Sequence, residues 1–162
     1  MSKYYCGVGS RNTPKNILTI MTKIAAKLYE EGWILRSGAA LGADTAFEVG
    51  ALTQKRIYYA NDATKESMAV AEIFHPAWHK CSEYAKKLHG RNLFQVLGRD
   101  LKTPVSFVIC WTPDGAQTHQ ERVFATGGTG TAISIASNHN IPVFNLKNEY
   151  QLERIQRWLK GK

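Results

Sequence analysis

Apolar residues fall into two patterns along the chain: short continuous runs, and longer stretches in which they recur every three or four positions. Lys3–Val8 is a strand-like run ending at Gly9, Ser10 and Arg11, and Asn12, Thr13 and Pro14 then supply capping residues and a proline suited to a first helical turn. Ile17, Ile20, Met21, Ile24 and Leu28 mark one face of the helix that follows, which Gly32 ends. Trp33–Leu35 is a second strand, and the glycine-containing turn Ser37–Gly42 leads into a helix carrying Ala43, Ala46, Phe47, Val49 and Leu52. Ile57–Ala60 reads as a third strand, and Asn61–His75, without clear periodicity, as an irregular surface excursion. Beyond it come a helical region from about Pro76 to Leu97, a strong strand Val105–Trp111 and a polar loop Thr112–Thr126. Helix Thr129–Ser137, strand Ile141–Phe144 and a closing helix Glu149–Leu159 complete the chain.

Strands alternating with helices in this way require parallel pairing, because each crossover lays its helix over the sheet. The expected fold is α/β: a single Rossmann-like, doubly wound and mainly parallel sheet with helices on both faces, formed by residues 1–162 as one domain. In such sheets a ligand sits beyond the carboxyl ends of the strands. The loops Gly9–Arg11, Ser37–Asp44 and Thr112–Thr131 are therefore expected to converge on one site.

Composition narrows the function classes. A chain of 162 residues that is 44% hydrophobic can bury a real core, and no apolar run approaches the roughly 20 residues that cross a bilayer. The N-terminus lacks the apolar stretch of a signal peptide, so a cytoplasmic site of action is expected, in the host cytoplasm if the source is a virus. Cys6, Cys81 and Cys110 are too few and too scattered for a disulfide framework or a thiolate metal motif. The formal charge of +8 favours phosphates and nucleic acid as partners.

The sequence Thr126-Gly127-Gly128-Thr129-Gly130-Thr131 stands directly before a helix, where missing β-carbons let backbone approach a ligand and free amides point at an anion. It carries no lysine in P-loop spacing, which excludes an ordinary nucleoside-triphosphatase. Ser10 and Arg11 offer a hydroxyl and a planar fork to a phosphate, or equally a cap and a solvated charge. In Ser37-Gly38-Ala39-Ala40-Leu41-Gly42-Ala43-Asp44, close-approach residues meet an acid, with Glu48 one helical turn further on. These carboxylates suit ribose hydroxyls, or equally the free amides of the helix start. His75, His79 and Cys81 lack a partner that would complete a metal-binding spacing, so no metal and no other cofactor is expected. Tyr58, Tyr59, Trp78 and Trp111 are aromatics available for base stacking or for packing. The basic residues Lys147, Arg154, Arg157, Lys160 and Lys162 read as a solvated helix face.

Taken together, Ser10–Arg11, Ser37–Asp44, His89-Gly90-Arg91-Asn92 and Gly127–Thr131 resemble the superfamily that joins the DNA-processing protein A (DprA) recombination mediators to the lonely-guy (LOG) phosphoribohydrolases. The chain looks like a small, phage-type member. The resemblance implies a nucleotide-binding Rossmann-like sheet with a ligand site at Gly9, Ser10, Arg11, Ser37, Gly38, Gly42, Asp44, His89, Arg91, Asn92, Gly127, Gly128, Thr129, Gly130 and Thr131. In the phosphoribohydrolases the motif PGGxGTxxE ends in a glutamate that assists cleavage, beside an arginine to which Arg91 is similar. This chain has Ser134 at the glutamate position and Thr126 at the proline position, and a serine supplies no carboxylate.

The leading expectation is thus a binding protein that captures a nucleotide-derived small molecule: a nucleoside phosphate, an ADP-ribose-type compound or a cyclic nucleotide. In a virus, sequestering a host signalling nucleotide would follow. The alternatives are a LOG-like nucleoside-monophosphate phosphoribohydrolase with Asp44, Glu48 and Arg91 as catalytic candidates, and a DprA-like mediator binding single-stranded DNA. A homo-oligomer is expected, with no membrane partner.

Overall fold

In a computed structural model, which describes residues 3–161, five strands form one sheet in the order β3-β2-β1-β4-β5 with every neighbouring pair parallel. The strands are β1 (Tyr4–Gly7), β2 (Ile34–Ser37), β3 (Lys55–Ile57), β4 (Val108–Cys110) and β5 (Val143–Asn145). The helices are α1 (Lys15–Glu30), α2 (Ala43–Ala51), α3 (Lys65–Phe74), α4 (Glu83–Leu97), α5 (Thr129–Asn138) and α6 (Glu149–Leu159). The doubly wound α/β fold expected from the alternation is present, and the sheet is wholly parallel.

Alternation along each strand divides the core in two. Tyr5, Leu35 and Ile109 face α1, α2 and α6, whereas Cys6, Val108 and Cys110 face α3, α4 and α5. α1 and α2 pack with little between them, and the ring of Phe47 lies so close to β1 that a β-carbon on Gly7 would stand 2.6 Å from it. From β1 the chain steps through β2 to β3 at one edge; from β4 it steps to β5 at the other. The order reverses between β1 and β4, and the crevice outside their carboxyl ends is where sheets of this type hold ligands.

Several boundaries differ from the sequence reading. Asn61–His75, expected to be irregular, holds a short turn of 3-10 helix (Ala60–Asp62) and then α3. Thr64 and Ser67 cap α3 reciprocally, and its buried positions are the small residues Ser67 and Ala71, so the large-apolar periodicity of a helix is missing there. The region Pro76–Leu97 is divided: a 3-10 turn at Trp78–Lys80, then α4 with Ser82 as its cap. β3 begins earlier than expected because Lys55, Arg56 and Ile57 pair with Leu35, Arg36 and Ser37, and charged residues suit an edge strand. β4 is shorter than Val105–Trp111, although its ladder to the first strand continues through Phe107, Ile109 and Trp111 carbonyls. Cys6 and Cys110 are buried free thiols, whose pKa values burial pushes up. Lys147, Arg154, Arg157 and Lys160 are exposed, and Lys162 lies outside the described residues. Among the described residues no helix is long and apolar enough to cross a membrane.

Phe47 is fully buried between α1, α2 and β1. Phe47→Ala is expected to lower stability by about 3–5 kcal/mol, the usual result of emptying a large aromatic site that cannot collapse. Chemical denaturation followed by circular dichroism measures it, and a loss under about 1 kcal/mol would show that α2 is not clamped as described.

Candidate functional site

At the carboxyl ends of the strands lies a cleft of about 530 Å³, in the size range of small-ligand sites. Its walls come from the loop after β1 (Val8–Arg11), the loop after β2 (Gly38–Ala40) with Asp44, the segment after β3 (Tyr59 and Ala60), one face of α4 and the start of α5. The three glycine-rich loops do meet there, but they contribute unequally.

The loop after β2 spends its amides on the chain itself. One oxygen of Asp44 accepts from the Gly38 and Ala40 amides at 3.1 and 3.2 Å, and Glu48 accepts from the Ala39 amide at 3.1 Å and the Ser37 hydroxyl at 2.6 Å. Both carboxylates thus do what acids near a helix start can do in place of holding a ribose. Ser37 is fully buried, and Gly42, at φ 94°, approaches the backbone of Ser10 and Arg11 rather than the cleft. Arg91 crosses beneath this loop, donating to the carbonyls of Gly38 at 2.7 Å and Tyr58 at 3.4 Å. Gly38 has to be glycine: a β-carbon there would stand 2.6 Å from Nη1 of Arg91 and would also strike Gln95.

In the loop after β1, the Ser10 amide donates to the Trp111 carbonyl, its hydroxyl accepts from the Asn12 amide, and its carbonyl receives the Thr13 hydroxyl. Ser10 therefore closes the turn that precedes α1, whose own cap position is Pro14. Gly9 lies on the cleft, packed against Ala43, and Arg11 is exposed on the rim with no hydrogen bond or ion pair among the described residues.

The third loop remains open. Gly128 and Thr129, at the amino end of α5, have backbone N–H groups with no acceptor among the described residues, as the first turn of a helix leaves them. A β-carbon on Gly127 or Gly128 would meet nothing within 4 Å. Gly130 is different, because a β-carbon there would stand 2.7 Å from Cζ of Arg122, so the space it leaves is filled from within. Thr131 is buried against Nδ1 of His89 at 2.9 Å, and Asn92 donates to the Gly128 carbonyl at 3.3 Å, fastening α4 to the loop. Asp114 accepts the hydroxyls of Thr112 and Thr126, which fixes the loop's approach.

Gln95, Tyr84 and Arg122 are functional candidates that the sequence reading passed over. Gln95 lines the cleft at 1% exposure with neither end of its amide partnered, a combination rare in native cores. Nothing in its neighbourhood in sequence marks it, since only the packing of α4 on the sheet decides that it faces the cleft. Arg122 donates to Ser134 at 2.7 Å and to the Phe74 carbonyl at 2.9 Å, with His119 also 2.7 Å from the Ser134 hydroxyl. A buried serine flanked by a guanidinium thus occupies the position where the phosphoribohydrolase motif carries its carboxylate.

The fold also gathers His75, Cys81 and His89, whose ligand-type atoms lie within 4.8 Å of one another, whereas His79 stays apart and exposed. The Ala77 amide donates to Nδ1 of His75 at 3.0 Å, so the proton of that neutral ring sits on Nε2 and points at the Cys81 sulfur 3.5 Å away. His89 packs edge to face on His75, with ring centroids 4.5 Å apart and its Nδ1 on Thr131, so the trio braces α4 against the turn before it.

Asp44 and His89 titrate in opposite senses. Burial raises Asp44 from 3.8 to about 6, against hydrogen bonds from the loop amides and the charge of Arg91. Its contribution to stability is full below the ordinary carboxylate range and is lost as pH rises through about 6. Burial, with the charges of His75, Arg122 and Arg91, lowers His89 from 6.5 to about 4, so its contribution is full above the ordinary imidazole value and is lost as pH falls toward 4. Moving the Asp44 carboxyl from 3.8 to about 6 corresponds to about 3 kcal/mol, and the half-buried His89 to somewhat less after screening by solvent. Relative to the parent, Asp44→Asn is expected to gain about that much stability as pH goes from 4 to 7, and His89→Gln as pH goes from 7 to 4. Urea unfolding across that range reads both, and variant curves parallel to the parent's would remove the two groups from the pH balance. Gln95→Met, which keeps the volume and removes the orphaned amide, is expected to raise stability by about 1–3 kcal/mol; a destabilised variant would mean that the amide is already satisfied.

Residues 2–68 match the family described as DNA recombination-mediator protein A. No curated protein matches the chain. Among solved structures, DNA processing protein A from Helicobacter pylori, described for its single-stranded DNA binding mode, superposes with a TM-score of 0.60 at 15% identity, covering 99% of this chain and 79% of that one. Residues 2–68 are thus similar in sequence to that family, and nearly the whole chain shares the fold of that structure.

Proposed function

We propose that residues 1–162 act as one domain that binds single-stranded DNA, seating one nucleotide in the cleft with its phosphate at the amino end of α5. The observation that carries the reading is that Gly128 and Thr129, whose amides have no acceptor among the described residues, line the cleft together with the exposed Arg11. Arg122 adds to it. Its guanidinium lies against Gly130 in the first turn of α5 and adds positive charge behind the loop. The unpartnered Gln95 amide offers a donor and an acceptor in the same cleft. The formal charge of +8 suits a polyanion, and the fold is shared with a protein described as binding single-stranded DNA.

Two further readings each rest on one observation. Capture of a free nucleotide-derived molecule is favoured by the size of the cleft, which holds about one nucleotide. Phosphoribohydrolysis is favoured by Asp44 alone, a carboxyl on the cleft wall whose pKa burial lifts to about 6.

Fluorescence titration with a labelled oligothymidylate, with nucleoside monophosphates and ADP-ribose as competitors, separates the three. The expected result is oligonucleotide binding that weakens steeply with salt and resists the small competitors. Arg11→Ala is expected to weaken it by at least tenfold, and Gly128→Val, whose side chain points into open space and so leaves folding intact, to abolish it. Tight binding of a small competitor with no oligonucleotide binding would replace this reading by nucleotide capture, and multiple-turnover release of free base by hydrolysis.

A further inference from the structure

A cleft that holds about one nucleotide leaves the neighbours of that nucleotide in a strand outside it, so they cross the rim. Two aromatic side chains stand there in water, and a third stands in the turn that leads into the cleft. Tyr59 and Tyr84 line the cleft at 57% and 64% exposure, and Phe124 is fully exposed in the turn that ends at Thr126, directly before Gly127. They come from three separate parts of the chain: the segment after β3, the start of α4 and the loop before α5. Among the described residues none of the three is stacked on another ring or covered by a cation, although most other aromatics are.

Among the aromatics that the sequence offers for stacking or packing, Tyr58 and Trp111 are buried and Trp78 is half-buried against His75 and His89. Only Tyr59 stays available. Tyr84 and Phe124 take the place of the others, one on the polar first turn of a helix and one in a polar loop, where packing gives no reason for a large ring. An exposed ring beside a phosphate site has a natural ligand in a base, since every base presents a π face to an aromatic surface.

We infer that Tyr59, Tyr84 and Phe124 are stacking platforms for the bases that flank the nucleotide in the cleft, so that the chain grips a short run of single strand with little regard to its sequence. This rests on the single-strand reading above. It adds two requirements that reading does not make: flanking unpaired bases contribute affinity, and they do so through these rings.

The test uses oligothymidylates of increasing length and one carrying 2-aminopurine on either side of a central thymidine, whose fluorescence falls when the base stacks. With the parent protein, affinity is expected to rise by roughly tenfold for each base that gains a ring, and 2-aminopurine to be quenched at the flanking positions. Tyr59→Ser, Tyr84→Ser and Phe124→Ser are each expected to weaken oligonucleotide binding by roughly tenfold and to relieve the quenching at one position. Tyr84→Phe and Phe124→Trp, which keep a ring, are expected to retain both. All three positions are solvent-exposed, and circular dichroism checks that the serine variants fold. Parent-like affinity and quenching in the serine variants would overturn the inference while leaving the single-strand reading in place. Failure of the parent to bind any oligonucleotide would overturn both.

Discussion

The guanidinium of Arg91 holds the cleft together. It reaches from α4 to the carbonyls of Gly38 and Tyr58, so one buried cation joins the loops that follow β2 and β3. A buried charge is tolerable only with partners, and here two carbonyl dipoles and the nearby Asp44 carboxyl supply them. Asp44 in turn gathers the Gly38 and Ala40 amides. Arginine, carboxyl and loop therefore fix one another, and the absence of a side chain at Gly38 is what lets the three come close enough.

This arrangement divides the labour among loops that look alike in sequence. The amides after β2 are consumed inside the chain, and the residues after β1 spend most of their polar groups on turns. The loop before α5 keeps the Gly128 and Thr129 amides without an acceptor among the described residues. It is held from three sides, by Asn92 from α4, by the Asp114–Thr126 contact behind it and by Arg122 across Gly130. Donors fixed in this way would need no reorganisation to hold an anion.

The same geometry bears on chemistry at the glycosidic bond. Where the phosphoribohydrolase motif puts a carboxylate, Ser134 is buried and bonded to Arg122 and His119. A positive group in place of a carboxylate there removes the negative charge that would stabilise the oxocarbenium character of a departing sugar. On the single-strand reading proposed above, such a local field suits retention of a phosphodiester strand, and the exposed rings near the cleft suit its flanking bases.

The sequence by itself determined the alternation of strands and helices, and with it the parallel doubly wound sheet and the side on which its loops converge, because period and crossover geometry are local properties of the chain. It also determined that the glycine run before α5 opens a helix, since glycine and threonine at a helix start carry that meaning wherever they occur. It did not contain α3, whose buried face is built of Ser67 and Ala71 and lacks a large-apolar signature. Only the tertiary structure decided which polar groups were already satisfied. Asp44 and Glu48 looked equally able to serve a ligand or a loop until the amides of Gly38, Ala39 and Ala40 were found in reach. Gln95 and Tyr84 looked like ordinary residues of α4 until the packing of that helix set one, unpartnered, in the cleft wall and the other on its rim. A hydrogen bond between residues distant in sequence exists only when the fold brings donor and acceptor within about 3 Å of each other, and no periodicity along the chain encodes that distance.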